Sequence, residues 1–331
     1  AVARSPRATT EKELINWLAS QEEMAVARLF AEVERASGKV QVEISLRDEG
    51  ASVQKRVRTN GIARRAADLI GQVNVVMFSP EDIDLIWGAP CLRLLRLDVT
   101  SSQVDHRYLR SLQRYSRVVL QRNHLLRMLE DRRAGSEELD FWDRELVESG
   151  SYLIHERKLM VKALEELARE VHLQLTGGGE RMGMVYVPSF DIDDDQIEGI
   201  ALGFQDALGR ARGREIAQGV TLVGPHRDDL RFLVNGVDMG IYGSRGQMRT
   251  IALSLRLAEA EFMRGRMGDY PVLLLDDVLS ELDIDRRSHL LGFISPYQQV
   301  LITTTDLDRF EPRFLVHAMR LRVREGKVEG S

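Results

Sequence analysis

Cysteine is almost missing from this 331-residue chain: Cys91 stands alone, so no disulfide can form within it. A reducing compartment, the cytoplasm, is the simplest setting for a protein of this size without such cross-links. Also missing is any run of the roughly 18 to 20 apolar residues that a bilayer crossing needs, and residues 1–7 have no apolar centre of a secretory signal. These two absences argue against a membrane-bound or secreted protein. There is no excess of positive charge either. At a formal net charge of −5 the whole molecule does not attract nucleic acid, so any site for phosphates has to be local. The last absence concerns chemistry. A phosphate-binding loop reads Gly-x-x-x-x-Gly-Lys-Ser/Thr, its backbone N–H groups cradling phosphate and its hydroxyl ligating Mg²⁺. The chain has two Gly-Lys pairs, Gly38-Lys39 and Gly326-Lys327, and valine follows both. As it stands, it is expected not to bind ATP tightly alone. It opens without an initiating methionine on what reads as the end of an element, and is expected to be a fragment lacking an N-terminal segment.

What is present suffices for a folded protein: 44% of residues are apolar, enough for one large or two ordinary domains. Residues 29–33 and 40–46 flank Ser37-Gly38, and the second run alternates apolar with polar, so a β-hairpin is expected. Residues 73–78 are nearly all apolar and stop at Ser79-Pro80, which suits a strand buried on both faces and ending at a functional loop. From 105 to 176 no proline occurs and apolar residues recur at three and four, the mark of two or three long helices. Gly177-Gly178-Gly179 closes them, and residues 184–187 return to strand character. A further helix is expected over 195–209, with Asp193-Asp194-Asp195 capping and solvating its start. Then come a hairpin at Asn235-Gly236, a helix over 247–263, and buried strands at 272–275 and 300–303. The resulting α/β layout is a head, a helical insertion and the rest of the head. Its expected parts are 1–98, 99–180 as helical arm, 181–220 as return connection, and 221–331.

Pro271-Val-Leu-Leu-Leu-Asp276-Asp277 is an apolar strand that delivers two carboxylates at its C-terminal end, where ligands bind in open α/β sheets. Such a strand suits Mg²⁺ on phosphate oxygens, Asp276 holding the metal through water and Asp277 orienting the attacking water. Two solvated acids capping a strand is the plain alternative. Downstream lies Val278-Leu279-Ser280-Glu281-Leu282-Asp283; upstream, Gly243-Ser244-Arg245-Gly246-Gln247 opens a helix, where Ser244 could equally be an ordinary N-cap.

In this order the motifs resemble those of ABC-type ATPases and, more specifically, of the RecF family. Gly224-Pro-His-Arg-Asp-Asp-Leu230, the Ser-Arg-Gly-Gln turn, the Leu-Leu-Leu-Asp-Asp strand, Ser-Glu-Leu-Asp and Val300-Leu-Ile-Thr-Thr-Thr-Asp306 look like the C-terminal half of that family. Phe78-Ser-Pro-Glu-Asp-Ile-Asp-Leu-Ile-Trp-Gly-Ala-Pro90 is similar to an earlier family segment. The resemblance implies an ABC-type head, a P-loop-like mixed sheet with a helical insertion, using ATP and Mg²⁺. It implies that Ser244, Arg245, Gly246 and Gln247 face the γ-phosphate held by a partner copy, that Ser280, Glu281, Leu282 and Asp283 sit across the dimer seam, and that Thr305 takes the switch position. It further implies an ATP-dependent homodimer at single-strand/double-strand DNA junctions, working in replication, repair and the SOS response with RecO-, RecR- and RecA-type proteins. The family's phosphate loop lies just upstream of the residues matching 1–8, so the segment expected to be missing is the one that would hold it. Asp277, one methylene shorter than the glutamate of many such ATPases, implies slow, DNA-stimulated turnover. One departure stands out: Arg93-Leu-Leu-Arg96-Leu-Asp98 lacks the second Arg and the Phe of the family's Arg-Arg-x-Phe-Leu-Asp, which puts a family-type surface there in doubt.

Between 93 and 133 stand ten arginines and four acids, and Arg107, Arg110, Arg114 and Arg117 share one helix face. That stripe is a candidate DNA contact, with a merely solvated face as the alternative. His226 with Asp228 and Asp229 could mimic a metal cluster, yet their place before a hairpin favours a structural or nucleotide-adjacent role. Two other readings compete with the repair ATPase. A non-enzymatic DNA-binding or structural module would explain the missing loop, and a transporter ATPase subunit would share the signature turn but would normally have a shorter helical part and a histidine at the Thr305 position.

Overall fold

The computed structural model describes residue 5 and residues 8–17, 25–36, 38–130, 137–310 and 312–330. Alternation along the early segment produces a sheet with one wet face. Strand β1 (Val26–Arg35) pairs antiparallel with β2 (Gly38–Asp48), β2 with β3 (Val53–Thr59), and β3 with β4 (Ile62–Arg64). Asn60 and Gly61, both at positive φ, close the last hairpin in the form that matches strand twist. Val42, Leu46 and Val57 turn inward onto Ile15 and Leu69. The hairpin expected around 37–38 is therefore present, with Ser37 itself outside the described residues.

The chain then enters the head through β5 (Val75–Phe78), α1 (Asp84–Trp87) and α2 (Pro90–Val104). It leaves along α3 (His106–Glu130) and returns along α4 (Glu138–Leu175), 38 residues or about 57 Å long. Strand β6 (Met182–Val187), α5 (Ile197–Gln218), β7 (Asp229–Val234) and β8 (Val237–Asp238) follow, then α6 (Met239–Tyr242) and α7 (Arg245–Met267). The last elements are β9 (Val272–Asp276), α8 (Ile284–Ile294), β10 (Val300–Thr303), α9 (Pro312–Leu315), β11 (Leu321–Arg324) and β12 (Lys327–Gly330). Strands β10, β9 and β5 form a parallel sheet in that order, and β6, β7 and β8 an antiparallel one. Between them runs α7, whose Ile251, Ala252, Ala258 and Ala260 are wholly buried. Small residues there let sheet and helix approach closely. No helix among the described residues is long and apolar enough to cross a membrane.

Two main cores result, and α4 belongs to both. Its Leu146, Leu153 and Ile154 join Tyr108, Tyr115 and Phe204 in the helical core, while Met160, Leu164, Ala168, Val171 and Leu175 lie in the head core. The packing thus runs across the expected boundaries at 180 and 220. The C-terminal half of α4, expected in the arm, fills the head; α5, expected in a connection, supplies Ile200, Phe204 and Leu208 to the arm. Periodicity tells which face of a helix is apolar, and is silent on which body covers it.

Arginines hold the helical part together from inside. Arg122, fully buried, donates to Asp143 at 2.7 Å, to Thr221 Oγ1 at 3.0 Å and to Glu215 at 2.6 Å, tying α3 to α4, to α5 and to the loop after α5. Glu215 spends its other oxygen on the Leu222 N–H at 2.7 Å. Replacing Glu215 by leucine leaves a buried guanidinium short of its closest partner, and a loss of about 3 kcal/mol is expected. The double variant Arg122→Met/Glu215→Leu should recover most of it in urea denaturation; a double variant no better than the single one would disprove this account of the pair.

Candidate nucleotide site

Strand β9 is flanked on both edges, so its backbone is fully engaged until it passes the sheet at Asp276. The register sets Thr303 of β10 directly beside Asp276. Its hydroxyl donates to Asp276 Oδ1 at 2.6 Å and accepts the Asp277 N–H at 3.0 Å, so one side chain holds the first acid by its carboxylate and the second by its backbone. Asp277 leaves the strand in the left-handed region, φ 49° and ψ 24°. Few residues besides glycine adopt this, aspartate and asparagine among them, and such backbone collects at functional sites. The Asp276 carboxylate and the Thr303 hydroxyl, with a second carboxylate next in the chain at 277, offer only oxygen donors, which fits a hard divalent cation. Among the described residues no cluster of three or more His, Cys, Asp and Glu could hold a metal.

The segment after Asp277 folds back on it. Ser280 donates to the Asp277 carbonyl through Oγ at 2.8 Å, and Leu279 and Leu282 are buried in the same core. Asp283 caps α8, accepting the Arg286 N–H at 2.9 Å. Of Glu281, only the backbone lies within the described residues. Leu282 points inward, and the exposed apolar side chain at this end is Ile284, 78% accessible. Thr305 is exposed beyond β10, and the hydroxyl that engages the acids comes from Thr303 instead.

At the head of α7, Ser244 is an N-cap in a full capping box. Its Oγ accepts the Gln247 N–H at 3.2 Å, and Gln247 Oε1 accepts the Ser244 N–H at 3.1 Å. The plain reading of Ser244 therefore holds, and it leaves the turn exposed at 244–246. Two glycines separate what the fold requires from what it does not. A Cβ on Gly243 would lie 2.5 Å from the Met239 carbonyl, whereas one on Gly246 would meet nothing within 4 Å. Internal packing explains the first glycine only; a bare backbone at 246 suits an anion approaching the helix N-terminus from outside. The turn is also tethered from behind. Gln247 Nε2 donates to Glu180 at 2.9 Å, Glu180 meets His172 at 3.2 Å, and the other His172 nitrogen meets Ser254 of α7 at 3.0 Å. Burial lowers the His172 pKa. Sequence reasoning missed Thr303, Glu180 and His172: a threonine beside a strand-end aspartate is the one signal, and it needs the strand register to be seen.

The remaining candidates scatter. Arg114 donates to Glu145 at 2.8 Å and to Glu148 at 2.9 Å, both on α4, so the middle of the stripe is neutralised. Arg107 lies 4.4 Å over the Tyr152 ring, Arg117 donates to its own helix at Gln113, and Arg110 is exposed with no ion-pair partner among the described residues. In the Arg93–Asp98 segment Leu95 is exposed, while Arg93 forks onto Asp229 at 2.7 and 3.0 Å, Arg96 reaches Asp82, and Asp98 receives Arg157. His226, Asp228 and Asp229 likewise part company. His226 meets Tyr115 at 2.6 Å and the Thr221 carbonyl at 3.2 Å, Asp228 accepts from Tyr186 and Ser189, and Asp229 takes Arg93.

No family model matches the chain. A protein of Chloroflexus aggregans, DNA replication and repair protein RecF, is 45% identical over 343 residues, which span 99% of this chain and 88% of that protein. The protein of the same description from Halalkalibacterium halodurans is 40% identical over 331 residues, 99% of this chain and 87% of that one. The solved structure of the recombination mediator protein RecF with ATP, in the RecFOR pathway, superposes with a TM-score of 0.86 at 28% identity, covering 99% of this chain and 84% of that one. The fold is that of an ABC-type ATPase head, an α/β body with a helical insertion.

Burial, with the cations Arg227, Arg157 and Arg122 nearby, takes the His226 pKa down to about 4. A histidine with a lowered folded pKa stabilises the fold above the unfolded value and loses that contribution as pH falls from about 6.5 towards 4. Between pH 7 and pH 5 the loss from this one ring is about 2 kcal/mol. Thermal denaturation of His226→Gln should therefore depend less on pH than that of the parent over this interval; parallel curves would refute the assignment.

Proposed function

The chain belongs to the RecF family of DNA replication and repair proteins, and on that footing we propose that it is an ATP-dependent DNA-binding protein of recombinational repair. It engages single-strand/double-strand junctions at gaps and helps to place a RecA-type recombinase there, together with RecO- and RecR-type partners. The observation that carries the reading is the pair of acids at the end of β9, held by a single threonine, with the second acid in left-handed backbone.

In this reading Asp276 holds Mg²⁺ through water, and the ion offsets charge on the phosphates of ATP. Asp277 orients and activates the attacking water, and its short side chain reaches less far than glutamate, which keeps turnover slow. Ser244, Arg245 and Gly246 present the N-terminus of α7 to the nucleotide of a second copy, with Gln247 held from behind by Glu180. Ser280 and Asp283 shape the turn that meets that copy, and Thr305 stands at its margin. Arg107, Arg110 and Arg117 on α3 are the proposed duplex contacts, Arg114 being taken by two glutamates. The proposed units are the head, 1–98 with 221–331, and the arm, 99–180, joined through 181–220, with the end of α4 packed into the head and α5 into the arm.

A non-enzymatic module is favoured by one observation, the lack of a Gly-x-x-x-x-Gly-Lys-Ser/Thr sequence in these 331 residues. One experiment separates the two. The chain is preceded by a family-type phosphate loop, and ATP hydrolysis and oligomeric state are measured with and without gapped DNA. Hydrolysis that rises with DNA, together with nucleotide-dependent dimers, is expected. Asp277→Asn should slow it about 100-fold, and Thr303→Val about tenfold through misplaced acids. A rate indifferent to DNA, or dimers that form without nucleotide, would overturn the reading.

A further inference from the structure

Polar and apolar residues alternate along β2 and β3, so the four-stranded sheet has two unlike faces. One is buried through Val42, Leu46 and Val57. The other is open, and its register gathers charge. Arg28 and Arg56 lie in one cross-strand row on either side of Ser45; Arg47 stands in the row before, and Phe30 and Arg58 in the row after. All four arginines are exposed, and Phe30 is 60% accessible. The one carboxylate in these rows is Glu43, between Phe30 and Arg58, and it takes Arg28 at 2.8 Å. With Arg28 taken by Glu43, Arg56 and Arg58 leave this end positive in a protein whose net charge is −5. Further along, Glu32 and Glu34 face Gln41 and Lys39, and the charge is mixed.

The contrast with α3 is one of freedom. There the central arginine is clamped by two glutamates; here Arg56 and Arg58 have no ion pair among the described residues and stand about 6.8 Å apart on one strand. An exposed ring set beside Arg56 and Arg58 suits an unpaired strand, because every base has a face to stack and every phosphate a charge to neutralise. A duplex hides those base faces. We propose that the outward face of the β1–β4 sheet is a platform for single-stranded DNA, with Phe30 stacking on a base and Arg56 and Arg58 meeting phosphates. The site rests on the DNA-binding reading above and assigns the unpaired side of the junction to a surface separate from α3.

The test is fluorescence anisotropy of the full chain with a labelled 20-residue oligothymidine and, separately, with a duplex of equal length. Phe30→Ala is expected to weaken single-strand binding at least about fivefold with its salt dependence intact. Arg56→Gln/Arg58→Gln should weaken it further and reduce the salt slope by roughly 0.7 for each arginine removed. Arg110→Glu should lower duplex affinity and leave single-strand affinity alone. Unchanged melting temperatures show that the variants fold. Single-strand binding that survives both sheet variants overturns the site and hands this face to some other partner. Parent protein that binds duplex but not single strand overturns the site alone; parent protein that binds neither overturns the DNA-binding reading as well.

Discussion

Strand β9 has a partner on each edge, and most of what the head does follows from that constraint. Its N–H and C=O groups are committed to β5 and β10, so Leu273 and Leu275 must be covered from above and below and the chain can become polar only where the sheet ends. Asp276 is the first residue free to do so. The same parallel register that buries the leucines sets Thr303 beside it, and a hydroxyl with one proton and two lone pairs can serve two neighbours at once. Aim and burial are therefore one arrangement. Loss of the β9–β10 pairing would unfasten both acids.

Charge inside this protein works differently from charge on its surface. Arg122, Arg157 and Arg256 are all buried, each with carboxylates of its own: Asp143 and Glu215, Asp98, and Asp82 with Glu259. Burial alone would disfavour every one of these ions; Arg256 stays charged because two carboxylates lie against it, and its pKa is raised. Glu259, with the opposite sign, has its pKa raised by burial. Such sites are costly to break and cheap to replace as a whole, which makes them fasteners between elements more than sources of stability. They join elements within the head at Asp82, within the helical part at Glu215, and α2 to α4 at Asp98.

Helix α4 gives the arm mechanical access to the nucleotide face. It carries one core at its start and the other at its end, and its last turn holds His172, which touches Ser254 of α7 and, through Glu180, the side chain of Gln247.

Much of the framework was legible from residue order. The β1–β2 hairpin, the parallel strands, the long helices and the cap at Ser244 follow from periodicity and local capping chemistry, which act over a few residues and need no knowledge of the fold. The strand-end acids were legible for the same reason. Counting charge along the chain was an incomplete guide to surface charge: of the ten arginines over 93–133, four meet Glu145, Glu148, Asp229, Asp82, Asp143 and Glu215 from other elements, and Arg114 is the one of these that belongs to the stripe of Arg107, Arg110, Arg114 and Arg117. The basic sheet face, by contrast, is spread over β1, β2 and β3 and becomes one patch only in register. Local sequence settled which segments are strands and helices and where the chain turns, since those depend on near neighbours. Tertiary structure alone decided which charges face water, which core each half of α4 serves, and that Thr303 is the hydroxyl beside Asp276, since each of these depends on groups brought together from distant parts of the chain.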